Sequence, residues 1–314
     1  MKILFYGTPD FAVGSLKALL DSNKNVIGVV TAPDKPAGRG YKLQKSAVKL
    51  FAEENNLPVY QPTNLKGVDF ENQLNQLQPD LQIVVAFRMM PEKVWGFPKL
   101  GTFNLHASLL PNYRGAAPIN WAIINGETKT GVTTFFLSHQ IDTGNIIEQS
   151  EVEILPNQTA GELHDDLMNL GSSLVVKTVN QIEANSISEI TQEEAIAKGN
   201  KISHAPKLDK ELCKLSADEN IQNIHNKIRG LSPYPGSFFI IKKDNQQKIL
   251  KVFRTEIIDK KEKVESPKFE ILEGELVLHL KSGILKIIEL QLEGKKRMKA
   301  VDFIKGFEIE NWNI

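Results

Sequence analysis

The first part of the chain alternates short apolar runs with segments whose apolar residues recur at helical spacing. Apolar runs at residues 2–6, 25–31, 58–60, 80–87, 101–106 and 131–138 predict strands. Helical spacing predicts helices over 11–20, 47–56 and 117–125, and a capping box formed by Thr159 and Glu162 opens a long helix reaching about residue 184. This alternation is typical of a Rossmann-like α/β domain with a parallel sheet and helices on both faces.

The pattern changes after a polar stretch that has little periodicity. We therefore predict a catalytic domain at 1–188, a linker at 189–206 and a second domain at 207–314. In that second domain, a capping box of Ser216 and Glu219 predicts a helix that ends at Gly230. Strand-like segments at 237–241, 248–258, 275–281 and 284–292 and a short helix at 300–307 follow. Antiparallel strands on about 100 residues indicate a small β-barrel of the oligonucleotide-binding (OB) type.

Composition narrows the class of protein. The longest apolar run, 83–87, has five residues, far below the roughly 18 that span a bilayer, and the first residues lack the pattern of a signal peptide. A single cysteine excludes an internal disulfide and any site built from several cysteines. We expect a cytoplasmic protein with no membrane partner.

The net charge is zero, but its distribution is uneven. Residues 1–200 carry 16 basic and 21 acidic side chains, whereas residues 201–314 carry 22 and 17. An acidic first part and a basic last part favour two modules with different partners. The nicotinamide, P-loop, zinc-protease and serine-hydrolase motifs are all absent from the sequence, which argues against those four classes of enzyme.

The candidate chemistry lies where a predicted strand ends. Asn104 and His106 alternate with Phe103 and Leu105, so the two polar side chains share one face at the carboxyl end of strand 101–106. Asp142, in a turn after strand 131–138, approaches His106 if the two strands are neighbours. The alternative is structural: Asn104 caps a loop, His106 is a hydrogen-bonded core histidine, and 142–144 is only a turn.

The residues of this candidate site resemble those of a known family of enzymes. Asn104, His106, the Ser-Leu-Leu-Pro run that begins at Ser108, and the Ile-Asp-Thr-Gly run at 141–144 resemble the folate-dependent formyltransferases. The resemblance implies that Asn104, His106 and Asp142 are catalytic and that 10-formyltetrahydrofolate is the formyl donor. It also implies that no metal is needed. By the same resemblance, the folate pocket is lined by Ser108, Leu109, Leu110 and Pro111.

Further segments resemble the members of this family that formylate methionine carried by initiator tRNA: 5–12 (FYGTPDFA), 33–40 (PDKPAGRG), 114–118 (RGAAP) and 228–236 (IRGLSPYPG). The resemblance implies that the loop around Arg39 enters the acceptor stem of the tRNA, with Lys35 and Lys42 nearby. In the second domain, the densest basic cluster consists of Lys295, Lys296, Arg297 and Lys299. We expect a monomer that binds initiator methionyl-tRNA through both surfaces.

The chain departs from the family pattern in two places. Phe87 and Arg88 stand where Tyr-Gly is common, and residues 212–216 lack an expected tryptophan. Two alternatives stay open. One is a formyltransferase that acts on glycinamide ribonucleotide or a sugar nucleotide, although such enzymes do not need a basic barrel. The other is a non-catalytic RNA-binding protein.

Overall fold

The computed structural model describes residues 1–37, 42–197, 199, 202–259 and 264–314. The chain divides into two compact units, each built from separate stretches. The first unit comprises residues 1–115, 131–152 and 164–204, and the second comprises 116–130, 153–163 and 205–314. Among the helices described, none combines the length and apolar character required to cross a bilayer.

The elements follow one another in this order. Up to residue 115 they are β1 (Ile3–Gly7), α1 (Asp10–Asp21), β2 (Val26–Val30), β3 (Lys35–Ala37), β4 (Lys42–Gln44), α2 (Ala47–Glu54), β5 (Val59–Tyr60), α3 (Val68–Leu77), β6 (Leu81–Val85), α4 (Glu92–Trp95), β7 (Thr102–His106) and β8 (Arg114–Gly115). Then come α5 (Pro118–Ile124), β9 (Lys129–Phe136), β10 (Ile146–Glu153), α6 (Ala160–Glu183), α7 (Gln192–Ala197) and β11 (His204–Ala205). The last part contains α8 (Ile221–Gly230), β12 (Ser237–Lys243), β13 (Gln246–Asp259), β14 (Lys268–Leu272), β15 (Glu275–Leu280), β16 (Gly283–Leu292), β17 (Met298–Lys299) and α9 (Ala300–Phe303), then a 3-10 turn at Ile309–Asn311.

A seven-stranded sheet organises the first unit. Its strand order is β10-β9-β7-β6-β1-β2-β5, and the run from β7 to β5 is parallel. The predicted parallel α/β domain is therefore confirmed. β9 runs antiparallel to β7, with His106 opposite Thr133 and Phe103 opposite Phe136. The expected neighbourhood of these two strands is confirmed as well.

Helices cover both faces of this sheet, which explains why β1 is buried along its whole length. On one face, Leu4 and Tyr6 pack in a cluster with Phe70 of α3 and Val94 of α4. On the other face, α6 lies so close to β7 that a Cβ atom on Gly171 would be 2.7 Å from Leu105 Cδ2.

The second unit contains an antiparallel sheet of order β12-β13-β16-β15-β14, with β17 paired to β16. The predicted OB-like architecture is confirmed as a curled antiparallel sheet, in the form of a half-barrel. Its apolar face packs against the Ile221, Ile224 and Ile228 side of α8. The repeat of apolar residues along α8 thus closes the core of the unit.

The two capping boxes have different outcomes. The first is confirmed: Thr159 Oγ1 accepts from the Glu162 N–H, and the Glu162 carboxylate accepts from the Thr159 N–H at 2.8 Å. The second is wrong. α8 begins at Ile221, and the residue that caps it is Asn220, whose Oδ1 accepts from the Gln222 N–H at 2.8 Å. Ser216 Oγ instead accepts from the N–H of Asp218 in the preceding turn.

Candidate active site

β7 places Asn104 and His106 on one face of the sheet, as predicted from their alternation with apolar neighbours. Phe103 and Leu105, which point to the other face, are 0% and 3% exposed. Asn104 is half-buried, and within the described part of the chain no protein group hydrogen-bonds to its side-chain amide. A half-buried amide without an internal partner is open to a ligand.

His106 is almost completely buried, and one ring nitrogen is already engaged. Its Nε2 lies 2.9 Å from the carbonyl oxygen of Tyr113. A carbonyl only accepts, so Nε2 carries the proton and donates. The ring stands edge-on to Phe135, with 6.5 Å between the centroids. In the neutral imidazole, Nδ1 is therefore the nitrogen with a lone pair.

Asp142 lies in a turn whose backbone is unusual for a residue with a side chain, because its φ is +56°. Its Oδ2 accepts a hydrogen bond of 3.0 Å from the N–H of Gly115. Gly115 is two residues beyond Tyr113, whose carbonyl contacts His106. The direct His106–Asp142 contact that we expected is not among the hydrogen bonds and ion pairs of the described residues, and residues 113–115 connect the two instead.

The segment expected to line the folate pocket is a tightly bonded loop. Ser108 is fully buried, and its hydroxyl donates to the Asn112 carbonyl at 2.6 Å. Leu110 is 1% exposed and Pro111 is buried, so Leu109 is the one partly exposed side chain of the four. The segment consequently presents backbone and Leu109 to its surroundings, while the other side chains face inward.

Thr133 of β9 and Gln149 of β10 hydrogen-bond to the main chain of that loop. Thr133 Oγ1 donates to the Ser108 carbonyl at 2.6 Å and accepts from the Leu110 N–H at 3.1 Å. Gln149 Nε2 donates to the Leu110 carbonyl and to Thr133 Oγ1, both at 2.9 Å. The shape of the loop is therefore set by β9 and β10.

Phe87 and Arg88, which depart from the family pattern, follow β6. The Arg88 guanidinium donates to the carbonyls of Pro62 and Thr63 and lies 5.7 Å from the Phe87 ring centroid. Tyr6 meets Phe87 edge-on at 5.5 Å between centroids, and burial raises the pKa of the Tyr6 hydroxyl well above its ordinary value. Met89, next in the chain, is 78% exposed.

Gln192 and Arg114 belong to this site and were not predicted as site residues. Gln192, at the start of α7, is fully buried. Its amide donates to the main-chain carbonyls of Asp142 and Gly144 and accepts from the Arg114 guanidinium. Residue 192 falls in the segment 189–206 that we predicted to be a linker, and no periodic pattern there signals a contact with residue 142.

The loop around Arg39 connects β3 and β4, which pair as a short antiparallel hairpin with Lys35 opposite Gln44. Lys35 is exposed, and the backbone of Lys42 is part of β4; Arg39 lies outside the described residues. Asp34 closes the hairpin base through a 2.6 Å ion pair with Lys49. The hydrogen bonds that the Asp34 carboxylate accepts from Lys49 and Gln61 hold its pKa below its ordinary value.

The basic cluster of the second unit divides into two kinds of side chain. Arg297 forms two hydrogen bonds to the Glu289 carboxylate, at 2.7 and 2.6 Å, and its guanidinium lies 4.2 Å from the Phe253 ring centroid. The other members are exposed lysines: Lys295, Lys296 and Lys299. Three of the four charges therefore face solvent, and Lys299 also attracts the Asp302 carboxylate, whose pKa is held below its ordinary value by Lys305 first and by Lys299 to a smaller extent.

Comparison with known proteins defines the class. A formyl transferase family model matches residues 1–179, and the formyl transferase C-terminal domain matches residues 207–308. The chain belongs to the formyl transferase family. A methionyl-tRNA formyltransferase of Flavobacterium johnsoniae is 50% identical over 306 residues, covering 98% of this chain and 96% of that protein. One of Bacteroides fragilis is 45% identical over 312 residues, covering 98% and 96%.

Solved structures share the fold. WlaRD, a sugar 3N-formyl transferase crystallised in the presence of dTDP and 5-N-formyl-THF, has a TM-score of 0.66 and 25% identity, covering 94% of this chain and 99% of that one. HypX from Aquifex aeolicus in complex with tetrahydrofolic acid has a TM-score of 0.62 at 16% identity, covering 97% and 47%. At that identity the likeness to HypX bears on the fold alone.

Proposed function

We propose that this formyltransferase moves the formyl group of 10-formyltetrahydrofolate to the α-amino group of methionine esterified to initiator tRNA. The product is N-formylmethionyl-tRNA for translation initiation. The proposal rests on the half-buried Asn104 amide, which has no hydrogen-bond partner among the described residues and shares a strand face with His106. Relatives of nearly the same length and 45–50% identity are methionyl-tRNA formyltransferases, which supports the tRNA acceptor.

The reaction needs little activation of the attacking amine. An α-amino group has a pKa near 8, so roughly a tenth of it is neutral at pH 7. Its nitrogen attacks the formyl carbon and forms the new C–N bond. The carbonyl oxygen becomes an oxyanion, and the bond from carbon to N10 then breaks while a proton moves from the new ammonium to N10. The enzyme must therefore stabilise an oxyanion and move one proton.

In this scheme, the side-chain amide of Asn104 donates a hydrogen bond to the oxyanion. Such a donor commonly contributes about 10²–10³ in kcat when it is held in place before the reaction. Asn104 is held by β7, a central strand whose neighbours are β6 and β9. A rigid strand is a suitable support, because the donor then loses little freedom when the charge develops.

His106 and Asp142 serve the proton transfer. Because Nε2 of His106 donates to the Tyr113 carbonyl, Nδ1 is the atom that accepts the proton or, in the charged ring, donates it. The Asp142 carboxylate has one oxygen bonded to the Gly115 N–H. Its other oxygen is suited to hold a water molecule or the ammonium proton during the transfer.

The donor fits the loop of residues 108–113. Leu109 is partly exposed and offers an apolar surface there. Apolar surface with a few backbone polar groups is the usual environment of a flat heterocycle such as a pterin. WlaRD, crystallised with a formyl-folate, supports folate as the donor class.

The acceptor, methionyl-tRNA, would bind through contacts between its phosphates and basic side chains of the protein. We propose that Lys35, Lys42 and Arg39 contact the acceptor stem, and that Lys295, Lys296 and Lys299 contact other phosphates of the tRNA, with Arg297 as a weaker contact. The boundaries 1–188, 189–206 and 207–314, the monomeric state and the cytoplasmic location also stay predictions.

The test is an acceptor panel with 10-formyltetrahydrofolate as donor. Purified protein should formylate methionyl initiator tRNA with a kcat/KM at least about 100-fold above that for an amino sugar nucleotide or glycinamide ribonucleotide. Uncharged tRNA should inhibit without being formylated. Preferred transfer to a sugar nucleotide would replace the proposed acceptor, and tRNA binding without transfer would favour a non-catalytic RNA-binding protein.

A further inference from the structure

The side-chain amide of Gln192 makes four hydrogen bonds, two to the turn that contains Asp142 and two to Arg114. Nε2 donates to the carbonyl oxygens of Asp142 and Gly144, both at 2.9 Å. Oε1 accepts from Arg114 Nε at 2.9 Å and from Arg114 Nη2 at 2.5 Å. The side chain is 0% exposed, so no water replaces these partners.

The chemistry of the four partners dictates the residue type. Carbonyl oxygens only accept and a guanidinium only donates, so one end of the side chain must carry two N–H groups and the other two lone pairs. Glutamine meets both needs in one orientation. Glutamate has no N–H to offer the carbonyls, methionine has the length but no polar end, and asparagine is one methylene shorter.

The four hydrogen bonds of Gln192, together with one from Gly115, connect the main chain and the side chain of Asp142 to the same segment of the protein. Arg114, bonded to Gln192, is followed directly by Gly115, whose N–H donates to Asp142 Oδ2 at 3.0 Å. The Asp142 side chain is thus held through Gly115, and its main chain is held through Gln192. Both sets of hydrogen bonds therefore involve the adjacent residues Arg114 and Gly115.

The turn needs such support because its conformation is not one that the chain adopts readily. Asp142 has φ +56°, in the left-handed region that costs energy for residues with a Cβ atom. Gly144 lies so close to β9 that a Cβ atom there would be 1.6 Å from the Phe136 carbonyl oxygen. Without Gln192, the carbonyls of Asp142 and Gly144 would turn toward other partners, and the carboxylate would move with them.

We infer that Gln192 is a positioning residue for catalysis: it holds the Asp142 turn, and thereby the Asp142 carboxylate, in the geometry needed for formyl transfer. This inference rests on the proposed function, in which Asp142 takes part in the proton transfer. Through its amide, Gln192 makes four hydrogen bonds, all of them to protein groups. It acts through Asp142.

The test is a double-mutant cycle on the full chain with 10-formyltetrahydrofolate and methionyl-tRNA. Gln192→Met should lower kcat by about 10- to 100-fold, as small misplacements of a catalytic group do, with KM for the folate within about threefold of wild type. In an Asp142→Asn background, the same change should lower kcat by less than about threefold, because the group that it positions is already disabled.

Gln82→Met is the matched control. Gln82 is also fully buried, and its Oε1 accepts from Thr102 Oγ1 at 3.1 Å near the opposite end of β7 from His106. It should fold and keep kcat within about twofold of wild type, because Thr102 Oγ1 also donates to the Trp95 carbonyl and Gln82 Nε2 has no partner among the described residues. If Gln192→Met does not fold, Gln192→Glu serves instead, since it can still accept from Arg114 but loses both donors.

Three outcomes are decisive. A kcat loss from Gln192→Met that is absent in the Asp142→Asn background supports the inference. Wild-type kcat in the single variant, or losses that multiply in the double variant, overturns it even if Asp142→Asn is inactive. Wild-type activity of Asp142→Asn itself would instead refute the proposed role of Asp142, and the inference would fall with it.

Discussion

Removing the Asn104 amide should separate catalysis from stability more cleanly than any other change in the site. In Asn104→Ala, the protein loses no internal hydrogen bond of the described residues, because none reaches that amide. The free energy of unfolding should therefore change by less than about 1 kcal/mol. The oxyanion of the transition state, by contrast, loses a donor.

The expected loss of kcat in Asn104→Ala can be taken from the effect of removing one hydrogen-bond donor from an oxyanion hole. One preorganised donor contributes about 10²–10³ in kcat, which corresponds to about 2.7–4 kcal/mol of transition-state stabilisation. Asn104→Asp should be at least as impaired, since it keeps the shape but replaces the donor by a negative charge facing the oxyanion.

Asn120→Ala provides the opposite control. Asn120 Nδ2 donates to the Gly230 carbonyl at 2.8 Å, so its loss should cost about 1 kcal/mol of stability while kcat stays near wild type. The assay is kcat for formylation of methionyl-tRNA, measured beside thermal unfolding followed by circular dichroism. An Asn104→Ala enzyme within threefold of wild-type kcat, or one that unfolds many degrees earlier, would refute the oxyanion role and favour a structural one.

Three further changes test the roles of Asp142, of the Asp34–Lys49 ion pair and of the exposed lysines of the second unit. Asp142→Asn should lower kcat about 100-fold or more with a near-normal melting temperature, because its amide oxygen still accepts from Gly115; activity within threefold of wild type would remove Asp142 from the mechanism. Lys49→Met should raise the pKa of Asp34 toward its ordinary value in an NMR titration. Since that folded pKa is depressed, the stability that the pair contributes is present above the ordinary aspartate pKa and lost as pH falls through the folded value; an unchanged titration contradicts this. A triple variant with three lysines of the basic cluster changed to glutamine should bind tRNA with a flatter dependence on salt. Titrations at several salt concentrations should show the slope of log K against log salt reduced by about two to three units. Adding Arg297→Gln should reduce the slope little further, because Arg297 is paired with Glu289. An unaltered slope would mean a solvated surface. The three residues of that variant are Lys295, Lys296 and Lys299.

Local sequence patterns predicted the strand face of Asn104 and His106 and one of the two capping boxes. The alternation around Asn104 and His106 follows from strand geometry, and β7 realises it. Thr159 and Glu162 lie three residues apart and meet across one helical turn. The capping box at Ser216 failed for a related reason: Asn220 offers an equally good cap four residues later, and the apolar face of α8 selects between them.

Contacts between distant residues were not accessible in this way. Gln192 meets Asp142 across 50 positions, and no periodicity in a short polar segment predicts such a pairing. The same limit applies to Arg297, whose charge appeared free in the sequence but is paired with Glu289 and stacked on Phe253. α3 and β14 were missed because their polar residues obscure the apolar stripe that each buries.

The fate of the formyl carbon shows whether the protein transfers it to the α-amino group of methionine. Wild-type protein is mixed with 10-formyltetrahydrofolate carrying a ¹³C-labelled formyl group and with methionyl initiator tRNA, and the aminoacyl ester is hydrolysed for mass spectrometry. We expect labelled N-formylmethionine in a one-to-one ratio with tetrahydrofolate, and a rate reduced at least about 100-fold in Asn104→Ala. Label recovered as free formate, or methionine left unlabelled while tetrahydrofolate accumulates, would contradict formyl transfer to the α-amino group.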